Sequence, residues 1–163
     1  MQTMHSFLFF LRPLLLATVC AFLLTGCGGM NLTGGDIAPN AKGSTIMKTA
    51  YAQMGKKYRY GGASPRQGFD CSGLVYWSYR TNGVKVPRST KQQAHVGYSI
   101  PKIKAAPGDI VVFRTGFSSL HTGLYAGNNT FIHSPSKGRA VRVESLDAMY
   151  WKNKLVGVRR VTQ

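Results

Sequence analysis

The sequence predicts an α+β fold in which N-terminal helices pack on a five- to six-stranded antiparallel sheet. Three observations carry this expectation. Capping residues and apolar residues at helical spacing fill the stretch from Ser44 to Gly97. Short apolar, β-branched runs dominate after Pro107-Gly108-Asp109. Two of those runs are joined by Gly127-Asn128-Asn129, which is hairpin chemistry because Gly and Asn tolerate positive φ. Helices first and antiparallel strands second is the α+β order.

In chain order, Ser44 is placed to cap a first helix, with Ile46, Met47, Ala50, Tyr51 and Met54 as its apolar stripe and Gly55 weakening its end. Residues 58–70 form a loop punctuated by Gly and Pro. A second helix starts at Cys71 with Asp70 as N-cap; Leu74, Val75 and Ser78 face inward, and Asn82-Gly83 close it. Ser89 with Gln92 is a capping-box pattern that opens a third, short helix ended by Gly97. Residues 110–114, 121–126, 130–134, 139–143 and 155–161 are expected to be strands, with a brief helix near 145–151 between the last two.

The N-terminus speaks to the compartment. Residues 7–24 are nearly all apolar, broken by Arg12 and Pro13. The unbroken run Leu14–Leu24 suits a signal-peptide core and is short for a membrane span. It ends in Leu24-Thr25-Gly26-Cys27, which resembles a bacterial lipobox, where the Cys is lipidated on sulfur before the leader is cut. The alternative is an uncleaved anchor helix running into a Gly-rich stretch. The lipobox reading divides the chain into a leader (1–26), a lipidated tether rich in Gly and small polar residues (27–43) and one domain (44–163). Gly28 follows the lipidated Cys27; by resemblance to lipoprotein sorting this implies the periplasmic face of the outer membrane. Acyl chains on Cys27 would make the membrane a partner, each buried methylene contributing about 0.8 kcal/mol.

Charge and cysteine count narrow the function classes. There are 21 Lys plus Arg against 5 Asp plus Glu. Loss of Arg12 with the leader leaves a net charge of about +15. The basic residues are spread along the chain, not gathered in one block, which argues against a nucleic-acid partner and fits anionic cell wall or phospholipid. Of the three cysteines, Cys20 leaves with the leader and Cys27 carries lipid. Cys71 then has no disulfide partner, and a lone thiol in an oxidising compartment is either buried or used.

A thiolate is the reactive form of Cys, and a helix N-terminus favours it. Cys71 sits at such a position; the competing reading is a buried, inert Cys. The histidines weigh for chemistry. His5 lies in the leader and His95 on a short polar helix, whereas His121 and His133 fall on two strands of one hairpin. With a three-residue loop at 127–129, Ala126 pairs with Thr130, His133 lies opposite Gly123 and both imidazoles share a face. A two-residue loop at 128–129 would put them on opposite faces. In the first geometry His121 takes the Cys71 proton and His133 orients His121. The competing reading of His133 is a strand-surface residue.

Tyr58-Arg59-Tyr60-Gly61-Gly62, then Asp70-Cys71-Ser72-Gly73, then His121-Thr122-Gly123-Leu124-Tyr125, then Phe131-Ile132-His133-Ser134, resemble the NlpC family of cell-wall peptidases over about residues 45–161. The resemblance implies a papain-like α+β fold and thiol-dependent hydrolysis of peptidoglycan stem peptides, beside D-amino acids and diaminopimelate, with no cofactor and no metal. It implies Cys71 as nucleophile, His121 as base and His133 as the third polar residue. It also implies Tyr58 as an oxyanion donor aided by the Cys71 amide, and Asp70 and Ser72 as substrate-binding positions. Arg88 matches a recurrent position of open role. Three other readings stay in view: a Cys/His enzyme on lipid esters or acyl groups, an inactive envelope-binding lipoprotein, and a zinc site from Cys71, His121 and His133.

Overall fold

The computed structural model describes residues 41–162, so the expected leader, lipobox and most of the expected tether lie outside the described residues. The first helix, α1, spans Ala41–Tyr51. It starts ahead of Ser44, which is therefore inside the helix and not its cap. Ile46, Met47 and Ala50 are buried as the stripe requires. Tyr51 and Met54 are exposed, because the helix ends at Tyr51 and the following turns bring Gln53 inward instead.

The punctuated loop contains a two-stranded ribbon, β1 (Ala63–Ser64) with β2 (Gly68–Phe69), that the sequence reading left as loop. Helix α2 runs Cys71–Thr81 with Asp70 as N-cap and Asn82 as C-cap. Its inward face is Leu74, Val75 and Ser78. Helix α3 is a single turn, Thr90–Gln93, capped by Ser89, whose hydroxyl accepts from the Gln92 amide.

The sheet has six strands: β3 (Tyr98–Ile100), β4 (Ile110–Arg114), β5 (Leu120–Gly127), β6 (Thr130–His133), β7 (Arg142–Ser145) and β8 (Leu155–Arg160). Their spatial order is β3-β8-β4-β5-β6-β7, and each of the neighbouring pairs is antiparallel. The expected α+β layout therefore holds, at the upper strand count. Two boundaries moved. The edge strand β3 was missed: it is three residues long and stops at Pro101, so it has almost no periodicity to read. The strand expected at 139–143 begins only at Arg142. Residues 139–141 pair instead with the loop before Tyr58: the Tyr58 amide donates to Arg139, Val141 to Lys56, and Gly55 to Val141. The helix expected near 145–151 is shorter, α4 at Met149–Lys152, because Ser145 and Asp147 close a turn first.

Strand alternation splits the core in two. Ile110, Val112, Leu124 and Ile132 meet α1 and α2. Val111, Phe113, Phe131 and Val158 form a second cluster with Leu146 and Trp151. The first cluster supports α2, which begins at Cys71; the second packs around the two histidines.

Candidate active site

Cys71 is the first residue of α2, and its position is set by its neighbour Asp70. One Asp70 oxygen accepts from the amide of Gly73 (2.6 Å) and from the Ser72 hydroxyl (3.3 Å); the other accepts from the amide of Gly61 (2.9 Å). Arg88 closes a bidentate pair on the same carboxylate at 2.9 and 2.8 Å, and also donates to Ser72 Oγ (2.9 Å) and to the Gly62 carbonyl (3.1 Å). Planar bidentate contact is what guanidinium geometry favours. Arg88, whose role the sequence left open, thus neutralises the capping charge and ties α2 to the glycine loop.

The thiol of Cys71 faces the backbone N–H of Thr122, the residue after His121, which favours the thiolate; its own amide and that of Ser72 act the same way. Burial outweighs them and, with Asp70 also opposing, pushes the thiol above its ordinary range. The expectation that the helix N-terminus would leave a low thiol pKa is therefore corrected. Desolvation is the larger effect here, and the resting sulfur is protonated.

The hairpin resolves the register question in an unforeseen way. Leu124 pairs with Ile132 and Tyr125 with Phe131, as the three-residue loop demands, but the last pair is Gly127 with Thr130. The connection is the two-residue turn Asn128-Asn129, both residues at positive φ, and a bulge between Tyr125 and Gly127 absorbs the extra residue. Both histidines consequently share a face. His121 Nε2 lies 2.8 Å from His133 Nδ1, with the rings nearly perpendicular. Gly123 is needed between them: a Cβ there would fall 2.8 Å from the Ile132 carbonyl oxygen and 3.1 Å from the His133 Cβ.

His133 is fully buried against Phe131 and Trp151. Its remaining nitrogen, Nε2, makes no hydrogen bond and faces Glu144 Oε1 at 3.6 Å. Glu144 is itself held by the Trp151 indole N–H and by Arg142. A carboxylate there favours the proton on His133 Nε2. His133 Nδ1 is then an acceptor, His121 Nε2 the donor, and His121 Nδ1 the free basic nitrogen. Sequence reasoning did not find Glu144, because its approach to His133 depends on the shifted start of β7. Nor did it find Gln93, a fully buried side chain that donates to the carbonyls of Ser72 (3.0 Å) and Pro87 (2.8 Å) and accepts from Thr122 Oγ1 (2.9 Å). Gln93 thereby clamps the start of α2 to β5 beside His121. The capping-box pattern marked its helix; nothing marked its direction.

Both imidazoles are held neutral. Burial, then the neighbouring His133, lowers His121 to about 3 from 6.5; burial, then Arg142 and Arg139, lowers His133 to about 3. Unfolding restores the ordinary value, so the unfolded chain binds more protons between those limits. The stability these groups contribute is complete above pH 6.5 and is lost as pH falls toward 3. The melting temperature should drop steeply on acidification from pH 7 to 4, and His133→Asn should flatten that slope. A melting temperature unchanged across this window would contradict the neutral pair.

Cys71 and His121 line one pocket of about 600 Å³, together with Tyr58, Asp70, Ser72 and Arg88. Tyr58 is half-buried there, its hydroxyl pKa raised by burial and by the nearby Cys71. Among the described residues, no three His, Cys, Asp or Glu side chains are grouped to hold a metal ion. His95 is exposed and does not line this pocket; its carbonyl accepts from Arg159 at 3.2 Å.

Residues 55–160 match the model of the NlpC/P60 family. The chain belongs to the NlpC/P60 family. It is 39% identical over 142 residues to murein DD-endopeptidase MepH of Escherichia coli, covering 80% of this chain and 52% of that protein. It is also 39% identical over 156 residues to the probable endopeptidase NlpC of the same organism, covering 90% of this chain and 97% of the relative. The chain thus spans about half of MepH and nearly all of NlpC. A solved NlpC/P60 family protein from Bacillus cereus superposes with a TM-score of 0.70 at 29% identity, over 74% of this chain and 40% of that one. The papain-like α+β architecture of this NlpC/P60 domain is therefore shared with solved members.

Proposed function

We propose that this protein is a cysteine endopeptidase that hydrolyses peptidoglycan stem peptides. One observation carries the reading: the helix-borne thiol of Cys71 and the imidazole of His121, which is hydrogen-bonded to the buried His133 behind it, line the same pocket. The names of the relatives, a murein DD-endopeptidase and a probable endopeptidase, support the substrate class.

The proposed chemistry runs through these residues. His121 Nδ1 takes the Cys71 proton as the sulfur attacks the scissile carbonyl carbon. The oxyanion is met by the Cys71 amide and the Tyr58 hydroxyl. The C–N bond breaks as His121 returns the proton to the leaving amine, and a thioester remains. His121 then deprotonates water, which attacks the thioester and releases a carboxylic acid and the free thiol. A neutral base beside a protonated thiol is the starting state this sequence requires. Asp70 and Ser72 line the pocket, and with Arg88 on the carboxylate their first task is to hold the nucleophile. The bond cut is D-Glu–diaminopimelate or the diaminopimelate–D-Ala cross-link.

Purified muropeptides digested with the protein should yield one of these two cleavage patterns by mass spectrometry, with thiol alkylation abolishing the reaction and chelators leaving it intact. Uncleaved muropeptides would remove the proposal. We further propose a lipid anchor on Cys27 at the periplasmic face of the outer membrane, supported by Leu24-Thr25-Gly26-Cys27 and Gly28. Cells should incorporate labelled palmitate into the wild-type protein and not into Cys27→Ser; equal labelling of both would refute it.

A further inference from the structure

A second cavity, about 480 Å³, adjoins His121 and is not lined by Cys71. His121 is the one residue the two cavities' linings share besides Pro135. The second cavity is walled by Tyr150 and Trp151 and carries Arg139, Arg142 and Glu144. Arg142 and Glu144 pair with one another. Arg139 is exposed and enters none of the ion pairs found among the described residues. The lining is therefore cationic by one charge, on an aromatic floor. Both guanidinium groups lie close enough to His133 to lower its affinity for a proton.

Position gives this cavity a role, on the hydrolase reading above. The imidazole that protonates the leaving amine must face that amine. The cavity that His121 lines and Cys71 does not is then the one assigned to the amine-bearing half of the substrate. We propose that this cavity is a carboxylate-recognition subsite for the leaving half of the peptide, with Arg139 as the residue that engages the anion. A diaminopimelate leaving group carries such a carboxylate. A guanidinium forms paired hydrogen bonds to a carboxylate and cannot do so with the corresponding carboxamide. Glu144 repels the same anion, so Arg142 contributes less than Arg139.

The test compares two stem-peptide substrates that differ only in a free carboxylate or a carboxamide on the leaving half. Wild type should favour the carboxylate roughly tenfold in kcat/KM, the range of one charge-assisted contact. Arg139→Ala should bring that ratio to about one through a rise in KM for the carboxylate substrate, and Arg139→Lys should restore part of it. A wild type without preference, or an Arg139→Ala protein that keeps the preference while slowing on both substrates, would overturn the subsite. A wild type that hydrolyses neither substrate would overturn the hydrolase reading, and this subsite with it.

Discussion

Cys71→Ala should lose at least about four orders of magnitude of muropeptide hydrolysis while melting within a few degrees of the wild type. On the proposed mechanism the sulfur forms the covalent intermediate, and the hydroxyl of the neighbouring Ser72 is already engaged by Asp70 and Arg88. Its removal breaks neither the Asp70 cap nor the Gln93 clamp, so the fold should hold. His121→Ala should fall almost as far, since it removes both proton transfers. His133→Ala should cost less, on the order of a hundredfold, the scale of a misoriented base. Initial rates on one defined muropeptide rank the three. Near-wild-type turnover by Cys71→Ala, or a larger loss at His133 than at His121, would contradict the assigned roles.

Asp70→Ala should have the largest effect on stability outside the apolar core. It removes the helix cap on Gly73, the acceptor for Gly61, and the partner of Arg88. Breaking a buried pair costs about 3–5 kcal/mol; here Arg88 keeps partial solvent contact, so about 2–3 kcal/mol is expected, or roughly 10 °C in melting temperature. Asp70→Asn keeps a capping oxygen and should lose less. Activity should fall with the alanine variant even below its melting point, because the helix start that presents Cys71 is no longer fixed. A melting temperature unchanged in Asp70→Ala would mean the carboxylate does not organise this corner.

The features legible in the sequence are those encoded locally. Asp70 before Cys71, Ser89 before Gln92, and the Gly-Asn-Asn turn each announce a cap or a turn by residue type, and the structure uses all three. The strands β4, β5, β6 and β8 were readable because their alternation persists for several residues. What escaped depends on distant partners. Val141 looks like strand but its backbone is claimed by Lys56, some eighty-five positions earlier. Gln93 and Glu144 are polar residues whose purpose lies in where they point, and composition does not encode direction. The thiol's resting state was misjudged for a similar reason: proximity to a helix start is visible in sequence, the depth of burial that outweighs it is not.

The bulge between Tyr125 and Gly127 is what keeps the two histidines in phase. A regular ladder closed by the same Asn128-Asn129 turn would carry His133 to the far face. The bulged position is in effect a spare residue. Shortened by one within 126–129, the connection can close as a regular two-residue hairpin with Leu124 still opposite Ile132 and the pair intact; the phase is lost only where the ladder straightens without losing a residue.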